Sequence, residues 1–223
     1  MRSDGNFRTK EGFSRLYIFG AGGQGREVAW LAKEIWPEDL EIIFLVDHES
    51  HLRPPVNGIP VRLSESESMD QDSKYIIAIG DSELRRRIAG MFHGRDARAA
   101  ILVHPRVEMS HLVDVDDGAV ICAGNVITTN VKIGQHAHVN VSCTISHDVI
   151  VEEFSTLSPG VRVAGHVHIG RNVFVGTGAN IINGTEDAPL IIGDGATIAA
   201  GACVIRSVEP GVLMAGVPAI RKR

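Results

Sequence analysis

Two sets of residues in this chain have the types and spacing to do chemistry. The first is a histidine followed by an acid, His147 and Asp148, in the run Ile145-Ser146-His147-Asp148. Imidazole is the side chain suited to moving a proton near neutral pH, and a neighbouring carboxylate can fix its tautomer and raise its basicity. The alternative is an exposed histidine with no chemical task. The second set is the glycine run at residues 20–25, GAGGQG, between a short apolar run and a helical pattern. Glycines spaced G-x-G-x-x-G let backbone N–H groups and a helix N-terminus come close to a diphosphate, with an acid, here Asp47, about twenty residues on to accept from a ribose or base. The alternatives are a tight strand-to-helix turn and a solvated loop acid.

These residues need elements to hold them. From Ile101 the chain divides into six-residue units whose third position is always aliphatic, from Val103 and Met109 through Ile145, Val151 and Leu157 to Ile181. The register then slips and resumes at Ile192, Ile198 and Val204; skipping residues 185–189 (TEDAP) restores it, so those residues are expected to bulge from one coil. A period of six suits a triangular solenoid, in which each unit forms one flat side, three units make a coil and residue i stacks on residue i+18. In that register Gly165 stands over His147 and leaves space above the ring. Gly118, Gly124, Gly134, Gly160, Gly170 and Gly176 are expected at the corners. Ahead of the repeat, apolar runs at 16–19, 42–46 and 75–79 alternate with helical patterns through Val28, Leu31 and Ile35 and through Leu84, Ile88 and Met91. This predicts a parallel α/β sheet of three or four strands. Such a half-domain has room for the diphosphate of a nucleotide sugar rather than a whole dinucleotide. Gly80 and Asp81 end the third run, with Asp81 and Ser82 as N-cap candidates. The expected organisation is a loose tail over 1–14, an α/β domain over 15–100 and the solenoid over 101–223.

Composition narrows the function classes. At 223 residues with 22% charged side chains the chain is neither a stapled mini-domain nor disordered. No apolar run approaches the roughly 20 residues of a membrane helix, and the N-terminus lacks the apolar segment of a signal peptide, so a cytoplasmic protein without membrane insertion is expected. A net charge of −5 argues against a nucleic-acid partner. The three cysteines have no C-x-x-C spacing, which disfavours a disulfide framework or a zinc ribbon.

The combination resembles the NeuD family of sugar O-acyltransferases, with its PglD-type N-acetyltransferases of nucleotide amino sugars, within the hexapeptide-repeat acyltransferases. The motifs are GAGGQG at 20–25, FLVD at 44–47, IAIGD at 77–81, SHD at 146–148, AGH at 164–166 and GVPA at 216–219. The resemblance implies a Rossmann-like half-domain followed by a left-handed parallel β-helix. It places the general base on His147 and its partner on Asp148. It implies nucleotide-sugar contacts from Gly20, Gly22, Gly23, Gln24, Asp47, Gly80 and Asp81, and acetyl-CoA contacts from Thr156, Gly165 and Thr177. A homotrimer with sites between neighbouring β-helices, and no metal, complete the expectation. Two residues depart from the pattern: Thr156 stands where some members carry a second histidine, and Gln24 where a histidine is frequent. The expected activity is acetyl-CoA-dependent N-acetylation of a UDP- or GDP-linked amino sugar. Alternatives are O-acetylation of a sialic-acid-like sugar, a zinc enzyme like the gamma-class carbonic anhydrases, and a non-catalytic scaffold. For the zinc alternative, Glu152 occupies the position of the required third histidine.

Overall fold

Four strands build the first part of the chain: β1 (Arg15–Phe19), β2 (Glu41–Val46), β3 (Val61–Leu63) and β4 (Ser73–Ile77), all parallel in the order β3-β2-β1-β4. The computed structural model describes residues 12–37, 40–95 and 97–222. Leu16, Tyr17 and Ile18 in β1 are at most 1% exposed, as a central parallel strand covered on both faces requires. Helix α1 (Gly23–Ile35) buries Val28, Leu31, Ala32 and Ile35, the predicted face, and stops before Pro37. Helix α2 (Ser82–His93) is capped by Asp81, whose Oδ1 accepts from the Leu84 N–H at 2.7 Å.

Two boundaries were expected, after residue 14 and after residue 100. Residues 1–11 of the predicted tail lie outside the described residues, but Phe13 is 3% exposed and packs edge-on against Trp36 at 5.1 Å, so order begins before residue 15. After α2 the chain returns to β4: Tyr75 N–H donates to Arg98 O and Ala100 N–H to Tyr75 O. The chain divides into compact units between Pro105 and Arg106.

The second unit is a parallel β-helix of triangular section. Thr144–Ile145, Ile150–Val151 and Thr156–Leu157 are the three sides of one coil. Each pairs in register with the segment 18 residues on: Thr144 with Arg162, Ile150 with His168, Thr156 with Phe174. Across residues 185–189 the offset becomes 23, as in Val167 with Leu190, so the five extra residues leave the stacking intact. The predicted inward aliphatics from Ile121 to Val204 are at most 2% exposed; Met109 and Val115, in the first coil, are half-buried.

The corners differ in detail from the expectation. A residue with positive φ recurs every six positions (Asn130, His136, Ser142, Asp148, Phe154), and Gly118, Gly124 and Gly160 fall in that series. Gly134, Gly170 and Gly176 do not. They follow an inward aliphatic, where a Cβ would lie within 3 Å of the next coil's backbone, so their reason is space rather than φ.

Candidate active site

His147 and Asp148 occupy the corner between the sides Thr144–Ile145 and Ile150–Val151, and the turn there puts Asp148 at φ 57°. Stacking by 18 residues makes this corner a column. Asn130 lies in the coil before Asp148 and His166 in the coil after, and all three have left-handed backbone. His147 Nδ1 is 2.8 Å from Asp148 Oδ2, and Asn130 Nδ2 donates to Asp148 Oδ1 at 3.2 Å. The His147 hydrogen bond first, and then that from Asn130, hold the Asp148 carboxyl below the usual carboxylate range. An ionised carboxylate only accepts, so in the neutral imidazole Nδ1 carries the proton and Nε2 presents its lone pair. His147 is half-exposed. Above the ring, a Cβ on Gly165 would fall 2.5 Å from Cε1 and 2.6 Å from Nε2, so only glycine admits the imidazole there. The Gly165 N–H donates to no backbone carbonyl among the described residues.

His166 was not among the expected site residues, yet its Nε2 is 3.8 Å from Asp148 Oδ2 and its ring meets that of His147 edge-on at 5.1 Å. The signal was present: 166 is 148 plus one coil of 18. Thr156 and Thr177 do not join this corner within one chain. Thr156 is buried between His138 and Phe174, on the side after the next corner, and Thr177 is exposed at the third corner.

In the first unit, the strand order reverses between β1 and β4, the place where open α/β sheets bind ligands beyond the strand ends. A cavity of about 390 Å³ opens there, lined among others by Gly20, Ala21, Val46, Asp47, Ile79 and Leu84. The glycines divide by cause. Gly20 has φ 104°, and a Cβ on Gly25 would sit 2.0 Å from Gly20 O, so both serve the strand-to-helix turn itself. Around Gly22 and Gly23 there is open space, with only the end of Arg26 within 4 Å of a Cβ at Gly23. Gly22 is the N-cap of α1 without a side-chain cap, and no acid stands in the first turn. An uncapped N-terminus with bare backbone suits an anion.

Gln24 reaches toward Gly80, its Oε1 3.5 Å from where a Gly80 Cβ would be. Asp47 accepts from His51 Nδ1 at 2.9 Å, and that bond lowers its carboxyl pKa. Asp81, expected at the sugar nucleotide, has one carboxylate oxygen committed to capping α2. Arg85 was not anticipated. It is buried, and Nη1 donates to Ile79 O at 2.7 Å and Gly80 O at 3.2 Å, pinning the loop after β4. Burial lowers its guanidinium to about 10, with Asp81 opposing the shift. No helix among the described residues is long and apolar enough to cross a membrane.

Comparison with known proteins covers both units. Residues 15–92 match the family model of the PglD N-terminal domain. A GDP-perosamine N-acetyltransferase of Escherichia coli O157:H7 is 33% identical over 209 residues, covering 91% of this chain and 93% of the relative. The solved structure of WeeI from Acinetobacter baumannii AYE has a TM-score of 0.87 at 29% identity, covering 93% of this chain and 99% of WeeI. PerB from Caulobacter crescentus, solved with CoA and GDP-perosamine, has a TM-score of 0.82 at 27% identity over 93% of this chain and 97% of PerB.

Proposed function

The chain belongs to the PglD-type acetyltransferase family, and from that premise we propose that it transfers the acetyl group of acetyl-CoA to the amino group of a nucleotide-linked amino sugar. The observation that carries the mechanism is His147, hydrogen-bonded to an ionised Asp148 and lying beneath Gly165. The sugar amine, neutral when it reacts, attacks the thioester carbonyl; the C–N bond forms, the C–S bond breaks and CoA leaves as thiolate. His147 Nε2 takes the proton the amine loses, and that proton passes on to the departing thiolate or to water. Asp148 holds the imidazole in the tautomer this needs. In this reading the Gly165 N–H, which has no backbone acceptor among the described residues, donates to the oxyanion. Bringing both substrates to one corner supplies the rest of the acceleration through orientation.

In the first unit the open backbone at Gly22 and Gly23, on the uncapped end of α1, takes the diphosphate, and the cavity beside Asp47 takes the nucleoside. GDP-perosamine is the first acceptor to test, because a relative over nearly the whole chain is named for it and PerB was solved with it bound. Gly165 and Thr177 stand at different corners of one coil and Thr156 on a side of the coil before it, which favours a homotrimer whose coenzyme groove is completed by a neighbouring chain. A thiol-release assay with acetyl-CoA against GDP- and UDP-linked 4-amino sugars and free sialic acids tests the reading. Turnover of a nucleotide amino sugar is expected; turnover of a sialic acid alone would overturn it.

A further inference from the structure

The carboxylate of Asp148 faces two imidazoles, not one. His147 Nδ1 is 2.8 Å from Oδ2, and His166 Nε2 approaches the same oxygen at 3.8 Å. The His166 backbone N–H also donates to His147 O at 3.1 Å, and the rings meet edge-on at 5.1 Å, so the two side chains are held as a pair. Other charged groups around His166 are engaged elsewhere or stand in solvent. On its own strand His168 pairs with Glu152 at 3.1 Å. From the coil after it, Gly184 and Leu190 pack against its backbone, and the acids in that connection, Glu186 and Asp187, are exposed. Below Asp148 the column continues to the neutral Asn130 and, one coil further, to Leu112, with His111 exposed beside it.

We propose that His166 is a positioning residue of the reaction: it shares Asp148 with the base and offers an alternative place for a proton, so that His147 stays free at lower pH. Two imidazoles sharing one carboxylate titrate as a coupled pair. The first proton can rest on His166 and leave His147 Nε2 unprotonated. The second proton, which silences the base, must then join a site that already holds a like charge, and therefore binds only at lower pH. Without His166 the whole field of Asp148 acts on His147, and the first proton is the inactivating one. The acid limb of activity therefore moves to higher pH when His166 is lost. This rests on His147 being the base.

Asparagine is the variant to use, because it tolerates left-handed backbone and can still donate to Asp148. For His166→Asn the acid limb of kcat/KM should move up by on the order of half a pH unit. His166→Gly, also compatible with the turn, should move the limb equally and lower the plateau as Asp148 loses its upper neighbour. NMR titration of the ring protons should show His147 gaining its proton at higher pH in both variants. An unmoved limb in both overturns the proposal, as does a lower plateau with the limb unmoved, which marks a merely structural residue. His147→Ala, run alongside, separates the two failures: if it stays active the base is misassigned, whereas if it is dead and the limb of His166→Asn is unmoved, only the role of His166 falls.

Discussion

At the scale of single residues, His147 draws its candidate role from neighbours that the chain order separates from it. Asp148 is adjacent, but the groups that fix Asp148 and the ring, Asn130 and Gly165, each lie one coil away. His147→Ala should lower kcat by ~10²–10⁴, the range for a lost general base, with the β-helix intact by circular dichroism because the site is a half-exposed corner. Retention of more than about a third of the rate would contradict the assignment. Asp148→Asn should cost less in the same direction, since it removes charge and orientation but leaves the base. Asp148 is held below the ordinary carboxylate range by His147 and Asn130, so the fall in activity toward acid reports imidazoles, not this acid. The pair His147-Asp148 was legible because both residue types and their adjacency stand in the sequence. His166 and Arg85 were passed over for one reason. Each acts through a contact across turns or coils, and in a linear reading each resembles an ordinary surface charge.

At the scale of elements, the six-residue period was almost fully legible, because one inward aliphatic per side is a composition rule and the stack obeys it. The corner glycines were only half legible: positive φ and lack of room both select glycine, and only coordinates distinguish them. The distinction sharpens the role of Gly165. Its Cβ would strike the imidazole before it reached any coenzyme. Gly165→Ala should therefore lower kcat at least tenfold by tilting His147, an effect of about 1.4 kcal/mol or more on the barrier, while the sugar nucleotide binds the first unit normally by calorimetry. A wild-type kcat would show that the ring has another place to go. Residues 185–189 make the opposite case. The loop closes on itself, Thr185 N–H to Ala188 O and Ala188 N–H to Thr185 O, while Gly184 and Leu190 on either side carry the rungs to Gly165 and His166. Deleting the five residues restores the offset of 18 and should change unfolding free energy by less than about 1 kcal/mol, a Tm shift within roughly 4 °C. A larger drop, followed by thermal scan, would mean that the loop braces the corner instead of bulging from it.

At the scale of the molecule, the left-handed β-helix of this family distributes its side chains over three separate faces, and the expected coenzyme residues follow that division. His147 and Gly165 share one corner, whereas Thr177 stands exposed at another. Apolar side chains stand in solvent on the same unit, among them Phe174 at 42%, Ile191 at 45% and Ile205 at 47%. In the homotrimer proposed above, unlike patches of identical chains meet, so each site would take the His147 corner from one chain and the Thr177 corner from the next. Mixing inactive variants tests this directly. Trimers of His147→Ala alone lack the base everywhere, and trimers of Thr177→Trp alone have every coenzyme groove blocked. In a trimer holding both kinds of chain, one junction joins an intact His147 to an intact Thr177. Random reassembly of an equal mixture should therefore restore roughly a quarter of wild-type activity. Mass spectrometry of the native assembly verifies that exchange has occurred. If exchanged trimers show no more activity than the two parents, Thr177 does not meet the His147 corner across a subunit boundary, and the coenzyme must be held within single chains.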